Sequence, residues 1–125
     1  MRTRALQYYG DAYPCACCIF LAGADKYGFS SDGCLQNICE AMSGGFGCGI
    51  FCGAAVASAV IFGSMFGGED ASRLTLMFLS EFSERFKTFD CCKLKNGGEC
   101  CENIIAEAAE IIDGIIAEFK EKFNS

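Results

Sequence analysis

Eleven of the 125 residues are cysteine, and they are the side chains on which chemistry can be built. They stand at positions 15, 17, 18, 34, 39, 48, 52, 91, 92, 100 and 101. There is no histidine and no tryptophan. The missing histidine excludes Ser-His-Asp and Cys-His nucleophilic catalysis. It also excludes haem held by a proximal histidine and zinc sites of the Cys/His type. No C-x-x-C-H run is present for covalent haem attachment. What remains is all-thiolate chemistry, which suits iron–sulfur clusters, zinc or Cu(I). The cysteines do not form the closely spaced run of bacterial ferredoxins, so ligands would come from distant points of the chain. Such spacing does not choose between [2Fe–2S], [4Fe–4S] and zinc.

Cys15-Ala16-Cys17-Cys18 contains a C-x-x-C. At a helix start this pair could work as a metal-free dithiol. The sheet that accompanies thioredoxin-like sites has no counterpart in the sequence pattern. A thiol–disulfide redox protein therefore stands as the alternative to a metal protein, and a thiolate store for Cu(I) or zinc as a third reading. No acid–base pair or substrate pocket is legible. Electron transfer is thus favoured over conversion of a substrate.

The helices that must gather these sulfurs are set by periodicity and by helix-stop residues. Arg2 to Tyr9 reads as a short helix ended by Gly10. Pro14 suits a first helical turn, and Cys15 to Tyr27 reads as a helix closed by Gly28. Ser30, Ser31 and Asp32 offer caps for a third helix reaching about Met42. The run 43–49 is a glycine-rich loop. Ile50 to Phe66 is an apolar helix ended by Gly67-Gly68. Asp70 or Ser72 is the expected cap of the next helix. Its stripe is Leu74, Phe78, Phe82 and Phe86, with Leu79 and Phe89 near it. Cys91-Cys92 follows its end. The last helix is expected from Cys101 to Phe123, with Ile104, Ile105, Ala108, Ile111, Ile112, Ile115 and Phe119 inward. Its carboxylates Glu102, Glu107, Glu110, Glu118 and Glu121 lie mostly on the other side. No strand-like alternation appears. The expected fold is all-α, a single domain over residues 1–125, with five or six helices packed around the central apolar Gly/Ala-rich one.

On this map Cys15/17/18, Cys48/52 and Cys100/101 fall at or near helix N-termini. A helix N-terminus carries unpaired N–H groups and about half a positive charge. Thiolate is therefore the expected form there. Cys91 and Cys92 would approach from the end of another helix. The N–H groups of Gly47 and Gly49 could donate to cluster sulfurs; as a phosphate cradle the loop is weak, since no strand precedes it and no lysine follows. Cys34 and Cys39 point about 140° apart on a helix and receive no role.

The run Gly45-Phe-Gly-Cys-Gly-Ile-Phe-Cys-Gly-Ala-Ala55 resembles the central signature of the C_GCAxxG_C_C family, described as redox-active with four shared cysteines. Pro14-Cys15-Ala16, followed by an apolar helix ending Tyr27-Gly28, resembles its first cysteine block. Phe86-Lys-Thr-Phe-Asp-Cys91 resembles its third, and Cys101, ahead of Ala108-Ala109, its fourth. The resemblance implies that Cys15, Cys52, Cys91 and Cys101 are the family's four cysteines, with Cys92 and Cys100 as competitors for the last two places. Ala57 replaces the signature's final glycine. The surplus Cys17, Cys18, Cys48, Cys92 and Cys100 sit beside family positions and imply an enlarged or second metal site. Related domains occur in split-Soret cytochromes, where an iron–sulfur cluster accompanies haem; only the cluster half could carry over to this chain.

Composition bounds the setting. Ten Lys and Arg stand against sixteen Asp and Glu, a net charge of −6. That balance argues against nucleic acid or anionic lipid as main partner and favours a basic redox partner protein. No apolar signal segment precedes the first helix. With an odd cysteine count, this makes a reducing, cytoplasmic location the expectation. Residues 41–68 carry no charge, but their Gly, Ala and Ser content suits a buried helix better than a membrane span. Small-residue helix surface also makes a homodimer an expectation.

Overall fold

The computed structural model describes residues 1–29, 37–41, 52–88 and 101–123. Among these, all regular structure is helical. The helices are α1 (Arg2–Gly10), α2 (Cys15–Tyr27), α3 (Gly53–Met65), α4 (Gly68–Phe86) and α5 (Cys101–Phe123), with a further helical segment at 37–41. The all-α bundle expected from the periodicities is the fold of the chain.

Local sequence accounts for most helix ends. Gly28 closes α2 in the left-handed conformation, φ 76°, and donates its N–H to the Ala24 carbonyl at 2.9 Å. Pro14 stands one residue earlier than a first-turn proline, as the extended N-cap. Two expected boundaries are corrected. The start of α4 is neither Asp70 nor Ser72: Gly67 (φ 69°) turns the chain and the helix begins at Gly68. Glu69 and Asp70 then fall in the first turn, where a carboxylate meets the positive end of the helix dipole. The apolar helix α3 spans Gly53–Met65 with Cys52 in extended conformation as its N-cap; Ile50 and Phe51 lie outside the described residues. Of the third expected helix, 37–41 is helical and the rest lies outside the described residues. No described helix is long and apolar enough to cross a membrane.

The buried stripes follow the periodicities. α4 buries Leu74, Phe78 and Phe82, and α5 buries Ile104, Ile105, Ala108, Ile111, Ile112 and Ile115. α3 buries Ala57, Ser58, Ile61 and Phe62 and leaves Ala59, Gly63 and Ser64 open to solvent. α2 is covered all round from Ala16 to Ala24. It meets α3 closely at Gly23, where an added Cβ would lie 3.0 Å from Ile61 Cδ1.

Specific pairs give the directions of the helices. Tyr27 and Lys26, at the end of α2, bond to Asp113 of α5, and Lys120 lies 5.3 Å from the centre of the Tyr27 ring. Phe66, just past α3, packs on Phe119 of α5 with ring centres 4.7 Å apart. The C-terminal ends of α2 and α3 therefore both lie against the later half of α5, and the three helices run parallel. α4 runs the other way: its Arg85 pairs with Glu107 near the start of α5, whereas Arg73 and Met77 share a groove with Ile115 and Phe119.

Asp113 ties three helices together. It accepts from the Met1 amino group at 2.9 Å, from Lys26 Nζ at 3.0 Å and from the Tyr27 hydroxyl. Burial alone would raise the Asp113 pKa, but these donors outweigh it and hold the carboxyl below its ordinary value of 3.8. The resulting stability is complete above that value and is lost as pH falls through the lower folded pKa. Asp113→Asn is expected to destabilise the fold by about 1–3 kcal/mol at neutral pH. In urea titrations repeated from pH 7 down to about pH 2, the gap between variant and wild type should close below about pH 4. A gap unchanged over that range would contradict the role given to the carboxylate.

Candidate functional site

The parallel arrangement brings the starts of α2, α3 and α5 to one end of the bundle. Twelve residues separate Cys15 from Tyr27, and twelve separate Cys101 from Asp113. Each stretch is about 18 Å of helix, so Cys15 and the first residue of α5 both lie toward the same end of the bundle. Eight residues separate Cys15 from Gly23, and nine separate Cys52 from Ile61. Cys15 and Cys52 thus both lie on the N-terminal side of that contact, at the starts of their helices. α4 returns the chain to the same end at Thr88, three residues before Cys91. Cys91 itself lies outside the described residues, as do Cys34, Cys48, Cys92, Cys100, Gly47 and Gly49. Cys101 is described as the first residue of α5.

Each described cysteine has its own setting. Cys15 is half-buried and opens α2. Cys52, 5% exposed, is the N-cap of α3 and makes no side-chain capping bond there. Cys17, Cys18 and Cys39 are fully buried. The Cys18 thiol donates to the Tyr13 carbonyl at 3.4 Å and so pins the turn between α1 and α2. Cys39 lies near enough to Cys17 for a charge there to act on it, as does Glu40 on Cys17. The helical segment 37–41 therefore sits against the first turn of α2. Sequence spacing gave Cys39 no role and contained no signal for this neighbour, because the contact is between segments.

Burial corrects the expectation that the helix start favours thiolate at every cysteine of the first group. Burial, with Glu40 and Cys15 adding, pushes the Cys17 thiol up to about 11. Burial, with Cys15 and Cys17 adding, pushes Cys18 up to about 12. Burial and Cys17 push Cys39 up to about 12. Two or three pK units are worth about 3–4 kcal/mol, whereas a helix dipole offers about 0.3–1 kcal/mol. In the metal-free protein all three therefore hold their protons at neutral pH. A soft cation can still displace those protons, at a cost in affinity.

Among the described residues no three Cys, Asp or Glu side chains stand together so as to enclose an ion. The donor chemistry of the bundle end nonetheless fits an anionic, thiolate-ligated group. Three helix N-termini toward one end of the bundle carry partial positive charge, each with a cysteine at or beside its first turn.

The family described as "Putative redox-active protein (C_GCAxxG_C_C)" matches residues 13–115. No curated protein and no solved structure matches the chain.

Proposed function

Because the chain belongs to the C_GCAxxG_C_C family of redox-active proteins, we propose that it is a cysteine-ligated metal protein that transfers electrons, with an iron–sulfur cluster as its redox group. The observation that supports this reading is that α2, α3 and α5, which begin at or just after Cys15, Cys52 and Cys101, start at one end of the bundle, to which α4 also returns the chain. Cys15, Cys52, Cys91 and Cys101 are the core ligands in this proposal. Cys17, Cys18, Cys48, Cys92 and Cys100 are added ligands, of which Cys17 and Cys18 must first give up their protons.

When bound, the cluster supplies one-electron chemistry at a potential set by its surroundings. The chain contributes three things. Helix N-termini stabilise negative charge on the sulfurs. The N–H groups of Gly47 and Gly49 are proposed donors to them. The buried side of the site, around Cys17, Cys18 and Cys39, excludes water. The exposed carboxylates Glu102, Glu110, Glu118 and Glu121 on α5 would steer a basic partner protein.

The deciding measurement is iron and acid-labile sulfide on anaerobically purified full-length protein, with its visible spectrum before and after dithionite. The expected result is stoichiometric iron and sulfide and a chromophore that bleaches on reduction. Protein that stays colourless after reconstitution with iron and sulfide would overturn the reading. A metal-free two-electron couple in that sample would point to thiol–disulfide chemistry instead, and several sulfide-free metal ions per chain would point to a Cu(I) or zinc store.

A further inference from the structure

Among the described residues, the helical segment 37–41 meets the core through one side chain. Asn37, Ile38, Glu40 and Ala41 are exposed, whereas Cys39 is fully buried. Cys39 and its neighbour Glu40 both lie close enough to Cys17 for charge to act between them. That pair of neighbours places the segment over the first turn of α2. Cys17 is fully buried as well, and the two cysteines belong to one apolar cluster. Cys18 is committed elsewhere, donating to the Tyr13 carbonyl at 3.4 Å. A single buried cysteine is an ordinary small core residue. Here two of them, from positions 17 and 39, are brought together out of water.

We propose that Cys17 and Cys39 are a redox pair that closes to a disulfide and bolts segment 37–41 onto the first turn of α2. The oxidant is a low-molecular-weight disulfide. Both sulfurs are sealed from solvent, so the reaction begins when the segment lifts and uncovers Cys39. Among the described contacts this opening gives up the burial of one side chain, which makes it a local rather than a global event. The Cys39 sulfur attacks the external disulfide, releases one thiol and is left as a mixed disulfide. When the segment returns, the Cys17 sulfur attacks the Cys39 sulfur and expels the second thiol. Two S–H bonds are lost and one S–S bond forms; the two electrons and two protons leave on the two released thiols. The bridge takes Cys17 and none of Cys15, Cys52, Cys91 and Cys101, so the four proposed core ligands stay available. It does not rest on the cluster reading.

The test treats anaerobically purified full-length protein with an equimolar amount of glutathione disulfide. Free thiols are then blocked with N-ethylmaleimide in denaturant and chelator, and the digest is sequenced by tandem mass spectrometry. The wild type should yield a peptide pair joined through Cys17 and Cys39 that dithiothreitol separates. Cys17→Ala should stop one step earlier and accumulate a glutathione adduct on Cys39, which the wild type resolves. Should that variant lose its helical circular dichroism, Cys39→Ala decides from the other side, since Cys17 should then form no bridge. A wild type in which Cys17 and Cys39 stay free, or in which either bridges to another cysteine, overturns the proposal. Iron and sulfide measured on the same sample keep the two readings apart. An iron-free chain that forms the bridge supports this pair and counts against the cluster alone. Iron-loaded protein without the bridge overturns this pair alone.

Discussion

Replacing Cys15 and Cys52 together by serine should abolish iron and sulfide binding while leaving the helical circular dichroism of the chain intact. The double variant removes two of four proposed core ligands. A structural thiolate site is worth on the order of 10 kcal/mol of binding free energy, so losing half its ligands empties it at micromolar protein. Cys52 packs in the core and Cys15 against it, but the fold should tolerate the change because both stand at helix starts, where a hydroxyl is well accommodated. Cys15 is half-buried, and Cys52 is an N-cap without a capping bond. Serine is itself a favourable N-cap. Cys17→Ser is the instructive contrast: it buries a hydroxyl in the core and should cost about 1–3 kcal/mol where the hydroxyl finds no partner. Full iron and sulfide content in the Cys15/Cys52 double variant would remove the assignment of these ligands.

Phe82→Ala should cost about 3–5 kcal/mol, a large share of the roughly 5–15 kcal/mol that holds a domain of this size together. Phe82 is fully buried, its ring centre 5.6 Å from that of Phe78 and 4.7 Å from that of Phe86. It fastens the last turns of α4, which carry the chain to the end where the cysteines stand. The effect should therefore reach the site as well as the core. Urea denaturation gives the stability loss, and the iron content of the purified variant reports on the site. A loss under about 1 kcal/mol would mean that the ring stack contributes little beyond ordinary contact.

Much of the architecture was legible because it is local. The stripe Leu74, Phe78, Phe82 repeats at helical spacing, and those residues are the buried face of α4. The Ile-rich face of α5 and the bounds of α2 follow from the same kind of signal, with Gly28 closing α2. The misplaced start of α4 has a local cause too. Asp70 and Ser72 are good caps, but Gly67 adopts a positive φ and turns the chain first. Polar preference for a cap was outweighed by backbone freedom.

What the amino-acid order determined by itself was the inventory: helices, their inward faces, and a histidine-free set of sulfurs clustered near helix starts. The tertiary structure decided which starts share one end. That depends on pairs such as Tyr27 with Asp113, Phe66 with Phe119 and Gly23 with Ile61, each joining segments that no local pattern relates. It also decided the protonation of the thiols. Cys17 and Cys18 lie within the first turn of α2, where the dipole alone would favour thiolate, but surrounding segments strip away their water. The charge of a thiol is set by all the groups around it, and the chain brings those groups together only when it folds.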